Sequence, residues 1–212
     1  MDKPIEWSSF DIVRKVRNAT KCKKIGHAGT LDPLASGLLI LCTGKFTKKI
    51  NEFQDLDKEY TGKMILGKTT PSFDNETEVD CEKDISYLQE EAIHEACKKF
   101  IGTVMQIPPM FSAIKIGGER LYKKARRGED IKIRAKQIHI AEFEITELNL
   151  PEISFKVVCS KGTYIRSLVR DFGEVLCSGA YMSELRRTRI GSFHVGNAYI
   201  VEDIVKLKKN KI

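Results

Sequence analysis

An α+β fold on a mixed or antiparallel sheet is the architecture that this sequence predicts, and three observations carry it. Between residues 131 and 159 several segments keep a period of two in succession: Ile131/Ile133, Ile138/Ile140, Phe143/Ile145 and Ile153/Phe155/Val157. Helical periodicities occupy separate stretches instead of following every strand, which argues against a doubly wound sheet. The 212 residues, 42% hydrophobic and 31% charged, suffice for one large domain or two intimate lobes around a real core.

The elements follow in order. Ser8 or Ser9 caps a helix with Phe10, Val13 and Val16 on one face. Residues 60–66 alternate as a strand. Ser86, with Gln89 three residues on, has the capping-box pattern and opens a helix bearing Leu88, Ala92, Ala96 and Phe100. Lys98, Lys99 and Gly102 close it. Pro108-Pro109 breaks the chain before a short strand over 112–116. Gly117-Gly118 then turns into a short basic helix closed by Gly128. After the strand series, Ile165, Leu168, Val169, Phe172, Val175 and Leu176 mark an amphipathic helix. A strand near 181–190, a helix near 202–207 and a basic, solvated tail complete the chain. We expect one domain over 1–205 and a basic tail over 206–212.

The net charge of +7 and pI of 9.0 favour an anionic partner: nucleic acid, the ribosome or a membrane surface. The charge is also segregated. Residues 74–95 carry nine acids against Lys83, whereas residues 115–136 carry nine bases against Glu119, Glu129 and Asp130. A plain solvated face mixes the signs, so this separation points to one cationic surface. The six cysteines and four histidines have no metal-ligand spacing, and no N-terminal apolar segment or run of ~18 apolar residues occurs. We therefore expect no metal, no membrane span and a cytoplasmic protein.

The segment from Gly26 to Leu39 places one carboxylate, Asp32, in a glycine-rich turn five residues after His27. Asp32-Pro33 fits a helix start, with Asp as the cap and Pro at the first helical position. It also fits a nucleophilic or acid/base carboxylate displayed on a rigid turn. Two other motifs are false leads. Gly62–Thr69 matches the phosphate-loop spelling, but Met64-Ile65-Leu66 reads as strand and Pro71 blocks the helix that should follow. Gly26-His27-Ala28-Gly29 has the GxxG spelling of KH domains without the preceding helix.

Five segments in register resemble the bacterial tRNA pseudouridine synthases of the TruB family, together spanning about residues 2–203. They are Asp2-Lys3-Pro4 with Ser8-Ser9; Gly26 to Leu39; Lys58-Glu59-Tyr60 through Gly67 to Asp74; Gln106-Ile107-Pro108-Pro109 with Ser112, Lys115 and Tyr122 to Gly128; and Ser160 to Leu168, followed by Leu185-Arg186-Arg187. Glu6, Ser8, Phe111 and Pro71 depart from the usual pattern without touching Asp32, Tyr60 or Arg166.

The resemblance implies the pseudouridine synthase fold, a mixed, largely antiparallel central sheet flanked by helices and loops. It implies isomerisation of the T-loop uridine at tRNA position 55, with no cofactor. Asp32 would be the nucleophile, Arg166 its ion-pair partner, and Tyr60 the residue that stacks on the base and accepts a proton. His27, Gly29, Thr30, Tyr164 and Leu185 would line the substrate pocket, with His27 where the uridine leaves its stack. Lys115, Arg120, Lys123, Lys124, Arg126 and Arg127 form a plausible RNA phosphate surface. The expected partner is the T-arm of tRNA, engaged by a monomer that needs no protein partner and lacks a C-terminal PUA-like domain. A tRNA-folding chaperone, with catalysis secondary, is the alternative that the cationic surface suggests.

Overall fold

The computed structural model describes residues 1–129 and 131–209, the side chains of 205 and 207–209 excepted. In chain order the elements are β1 (Asp2–Lys3), α1 (Ser9–Thr20), β2 (Ile25–His27), β3 (Ala35–Leu38) and β4 (Leu41–Thr43). A 3-10 turn (Gly44–Lys49), α2 (Ile50–Asp55), β5 (Lys58–Leu66), β6 (Lys68–Thr69), β7 (Cys81–Glu82), α3 (Glu90–Lys98) and β8 (Gly102–Gln106) follow. Then come β9 (Lys115–Ile116), β10 (Glu119–Arg120), α4 (Leu121–Ala125), β11 (Lys136–Asn149), β12 (Glu152–Cys159) and α5 (Ile165–Val175). The last elements are β13 (Ala180–Ile190), β14 (Phe193–His194) and α6 (Val201–Lys209). The chain forms two compact units, residues 1–61 with 184–212 and residues 62–183, and passes from one to the other within β5 and within β13.

In the first unit the strand order is β1-β3-β13-β5, with β14 beside β13. β1 and β3 are antiparallel, whereas β3 and β13 are parallel, with Leu185, Arg186 and Arg187 opposite Ala35, Ser36 and Gly37. This parallel pair makes the sheet mixed. The core joins Ile12 and Val16 of α1, Leu39, and Val201 and Ile204 of α6. α1 begins in a capping box: the Ser8 hydroxyl accepts from the Asp11 N–H, and the Asp11 carboxylate accepts from the Ser8 N–H. The expected helix is present with a rotated face, for Phe10 is exposed and Ile12 buried with Val13 and Val16.

The second unit has the order β5-β12-β11-β8, with antiparallel pairing of β12, β11 and β8. Phe143 of β11 packs edge-on against Phe100, Phe155 and Phe172, which pins α5 and the end of α3 to the sheet. Sequence and structure differ at several points here. Ile138/Ile140 and Phe143/Ile145 lie on one 14-residue strand with two register shifts, and Ile131 and Ile133 belong to no strand. Of the strand expected over 112–116 only Lys115–Ile116 forms, as one arm of the β9–β10 hairpin. The Ser86 hydroxyl bonds Asp84 instead of capping, and α3 starts after Gln89 with Ile93 inward and Ala92 exposed. Gly62–Thr69 is strand, turn and strand, not a phosphate loop. α6 runs to Lys209, across the expected boundary at 205; residues 210–212 of the expected tail lie outside the described residues. Among the described residues no helix is long and apolar enough to cross a membrane.

Candidate active site

Asp32 lies in the first unit, half-buried, on the connection from β2 to β3. No helix follows it. The Ala35 N–H donates to the Asp32 carbonyl at 3.1 Å, closing a turn at Pro33-Leu34 that leads directly into β3. The helix-cap reading of Asp32-Pro33 is therefore excluded, because Ala35 to Leu38 pair as strand with β1 and β13 before any helical turn can form.

The loop around Asp32 is held from several sides within this unit. The buried Ser9 hydroxyl, on α1, both accepts from the Leu31 N–H (2.8 Å) and donates to the Leu31 carbonyl (3.0 Å). Ala28 N–H donates to Ile40, and Leu39 N–H to Met1. Two fully buried cations complete the clamp. Lys3 is 0% exposed, and its ammonium donates to the carbonyls of Pro4 (2.9 Å), Trp7 (2.6 Å) and Pro33 (3.4 Å). Arg187 is 1% exposed; its Nε donates to Leu38 at 2.8 Å and its Nη2 to Gly29 at 3.1 Å. Burial lowers the Lys3 pKa from 10.5 to about 8, opposed by the attraction of Asp32 and reinforced by Arg187. Lys3 is thus still mostly charged at neutral pH, beside the candidate nucleophile.

Arg187 also organises neighbouring candidates. Its guanidinium carbon lies 6.0 Å from the centroid of the Tyr60 ring, at the outer limit of a cation–π contact. Tyr60 is buried on β5, where the inward Lys58 and Tyr60 alternate with the more exposed Glu59 and Thr61. Desolvation and then the Arg187 charge hold the His27 pKa below 6.5, so this imidazole is neutral at pH 7. His27 Nδ1 is buried without a protein partner. Gly29 is half-buried with φ +96°, and Thr30 is exposed. Leu185, half-buried, sits opposite Ala35, while the next residue, Arg186, pairs with Asp2 at 2.6 Å. His27, Gly29, Thr30, Asp32, Tyr60 and Leu185 therefore all belong to one unit, around two cations whose burial no sequence pattern revealed.

Tyr164 and Arg166 belong to the second unit. Tyr164 is the N-cap of α5 without a side-chain cap of its own; the buried Gln106 amide takes that place. Gln106 accepts from the Tyr164 N–H at 2.8 Å and donates to its carbonyl at 3.1 Å. The Ser167 hydroxyl donates to Ile107. The Gln106–Pro109 segment thus fixes the start of α5, and with it Arg166, which is 4% exposed. Arg166 donates to the carbonyls of Ser72 (3.3 Å) and Phe111 (2.9 Å), and its Nε lies 3.5 Å from the Asp74 carboxylate, itself buried. Asp74, which closes the family-like segment that begins at Lys58, is a partner of Arg166 to which the sequence reading assigned no role.

The proposed phosphate-binding block also lies in the second unit, where carboxylates take up half of it. Arg126 pairs with Glu76 (2.8 Å), Arg127 with Glu119 and Glu129, and Lys124 with Glu129 (3.7 Å). Lys115, Arg120 and Lys123 are exposed.

The chain is similar to known proteins along nearly its whole length. Residues 17–165 match the TruB family pseudouridylate synthase N-terminal domain, and residues 166–211 match the tRNA pseudouridylate synthase B C-terminal domain. The tRNA pseudouridine synthase B of Flavobacterium johnsoniae is 55% identical over 205 residues, covering 93% of this chain and 90% of that protein. The protein of the same name from Clostridium tetani is 46% identical and covers 95% of this chain and 70% of its own. Among solved structures, the Cbf5-Nop10-Gar1 complex contains a chain with TM-score 0.70 and 32% identity, over 91% of this chain and 48% of that one. A chain of an H/ACA RNP bound to a substrate RNA containing 2'-deoxyuridine has TM-score 0.72 and 27% identity, over 100% of this chain and 54% of that one. This chain spans about half the length of both. It belongs to the TruB family of pseudouridylate synthases.

Proposed function

We propose that this chain, an isomerase of the pseudouridine synthase class, converts the T-loop uridine at tRNA position 55 to pseudouridine, with Asp32 as nucleophile on a flipped-out base. The observation that carries the reading is the fixed Asp32 turn, clamped by Ser9, Lys3 and Arg187. Uridine and pseudouridine are isomers. The C1′–N1 bond breaks and a C1′–C5 bond forms, C5 loses a proton and N1 gains one, so the atoms balance without a redox partner. A carboxylate suits the task because it can attack C1′ or the base and then leave. Arg166, held by Asp74 and the carbonyls of Ser72 and Phe111, is the ion-pair partner that this reading assigns to Asp32. Tyr60 stacks on the base and accepts the C5 proton.

Flipping the base costs a few kcal/mol of stacking and pairing. His27, neutral and with a free buried nitrogen, compensates part of that cost by packing and hydrogen bonding, not by charge. Gly29 and Thr30 let the RNA backbone approach, and Tyr164 and Leu185 form apolar walls of the pocket. The protein acts as a monomer on the T-arm, and its 1–205 region is the catalytic domain. Purified protein incubated with an unmodified tRNA transcript tests this, with pseudouridine mapped by carbodiimide labelling and primer extension. A single stop in the T-loop is expected; no stop, or stops elsewhere, contradicts the reading.

A further inference from the structure

Among the described residues, four that are not glycine have a positive φ: Glu6, Lys21, Phe73 and Cys177. Lys21 and Cys177 follow α1 and α5, where a left-handed residue is the ordinary helix stop. Glu6 stands in the loop before α1 and gives its N–H to the Pro33 carbonyl at 2.8 Å. Phe73, at +64°, ends no helix, and a bulky aromatic takes this conformation only under constraint. Its place in the chain is informative. Ser72, just before it, accepts from Arg166 Nη1 at 3.3 Å through its carbonyl. Asp74, just after it, sets its carboxylate 3.5 Å from Arg166 Nε. The left-handed bend turns both neighbours toward one guanidinium.

The Phe73 ring is clamped from α5. Arg170, one turn beyond Arg166 on that helix, lays its guanidinium carbon 4.8 Å from the ring centroid. Arg170 is itself fixed, its Nε donating to Asp171 at 2.7 Å and its Nη2 to the Ile107 carbonyl at 3.3 Å. The ring is not core filling: Phe73 is half-buried and walls an open cavity of about 460 Å³ that also reaches Lys83 and Cys177. The Phe73 N–H donates to Thr70 (3.1 Å), and its carbonyl accepts from the Met182 N–H (2.9 Å). α5 thus grips the 72–74 turn twice, through the Ser72 carbonyl and Asp74 carboxylate at Arg166 and through the ring at Arg170. We propose that Phe73, seated on Arg170, is a positioning residue that keeps Ser72 and Asp74 on Arg166 and so aims that guanidinium for the reaction. The inference rests on the reading of Arg166 as the partner of Asp32.

The test is single-turnover pseudouridine formation on a tRNA transcript at saturating enzyme, where a misfolded fraction changes the amplitude and not the rate constant. Wild type is compared with Phe73→Asn, Phe73→Tyr, Arg170→Met and Arg166→Met. Asparagine tolerates a left-handed backbone but has no ring, whereas tyrosine keeps the ring. Phe73→Asn should slow the reaction by about ten- to a hundredfold, with tRNA affinity within about threefold of wild type. Phe73→Tyr should restore the rate. Arg170→Met tests the same contact from the other side: it should slow the reaction, and adding it to Phe73→Asn should slow it no further. The Nε–H resonance of Arg166 in NMR, assigned by its loss in Arg166→Met, reads the guanidinium without turnover. It should shift in Phe73→Asn and return in Phe73→Tyr. An unmoved resonance in Phe73→Asn, or a wild-type rate there while Arg166→Met is slow, overturns the assignment. Wild-type turnover in Arg166→Met refutes instead the reading of Arg166 as partner of the nucleophile, and the resonance then decides whether Phe73 holds it.

Discussion

Lys3 and Arg187 do most to shape the candidate site at the scale of single residues. Lysine and arginine are almost never fully buried, so a sequence reading places both on the surface. Their segments were legible, Asp2-Lys3-Pro4 and Leu185-Arg186-Arg187, but their task was not, because it consists of bonds to backbone carbonyls that leave no trace in residue spacing. Arg187→Met removes a buried donor from the carbonyls of Gly29 and Leu38. At about 1–3 kcal/mol for each orphaned group, urea denaturation should show a loss of about 2–6 kcal/mol. Activity should fall with it, because the Asp32 loop loses its clamp. Lys3 makes a pH-dependent contribution. Its folded pKa of about 8 lies below the 10.5 of the unfolded chain, so between these values the unfolded state binds more protons and stability rises with pH. Measured at pH 7.5 and again near pH 10, the stability of wild type relative to Lys3→Met should shift in favour of the wild type. A constant difference would mean that Lys3 is not buried as a charge.

Among the elements, the β2–β3 connection shows where local rules mislead. Asp-Pro is a sound helix-start signal, yet the segment becomes a turn and a strand because β1 and β13 claim its hydrogen bonds. α1 shows the milder failure. Ser8 was legible as a cap, but the inward face was misread by placing Phe10 on it, since an aromatic at a helix start fits either the core or solvent. Strands with clean alternation, β5 and β12, were legible almost to the residue. Residues 131–135 alternate equally well and form no strand. Gly37 offers the sharpest test at this scale. It has φ +104°, and a Cβ there would lie 2.3 Å from the Arg187 carbonyl oxygen, across the parallel β3–β13 pair. Gly37→Ala combines backbone strain with a clash against backbone that cannot give way, so it should cost about 3 kcal/mol or more and lower the melting temperature by about 6 °C or more. A near-normal melting temperature would show that β3 and β13 separate more readily than their register implies.

For the molecule as a whole, the α+β class and mixed sheet were legible because strand-period and helix-period stretches are long and segregated. The TruB membership was legible because five motifs stand in order along the chain. What remained hidden were features made by folding: the Gln106 brace on α5, the Asp74–Arg166 pair and the paired state of the 115–127 block. Asp32 now stands on a fixed turn beside Lys3 and Arg187, and the central claim is that its carboxylate is the nucleophile. The direct test is Asp32→Asn, which keeps the shape of the side chain and removes its charge. Pseudouridine formation on a tRNA transcript should fall at least about 10⁴-fold, as expected when a nucleophile is lost, with tRNA affinity within a few-fold of wild type. Turnover near the wild-type rate would contradict the account.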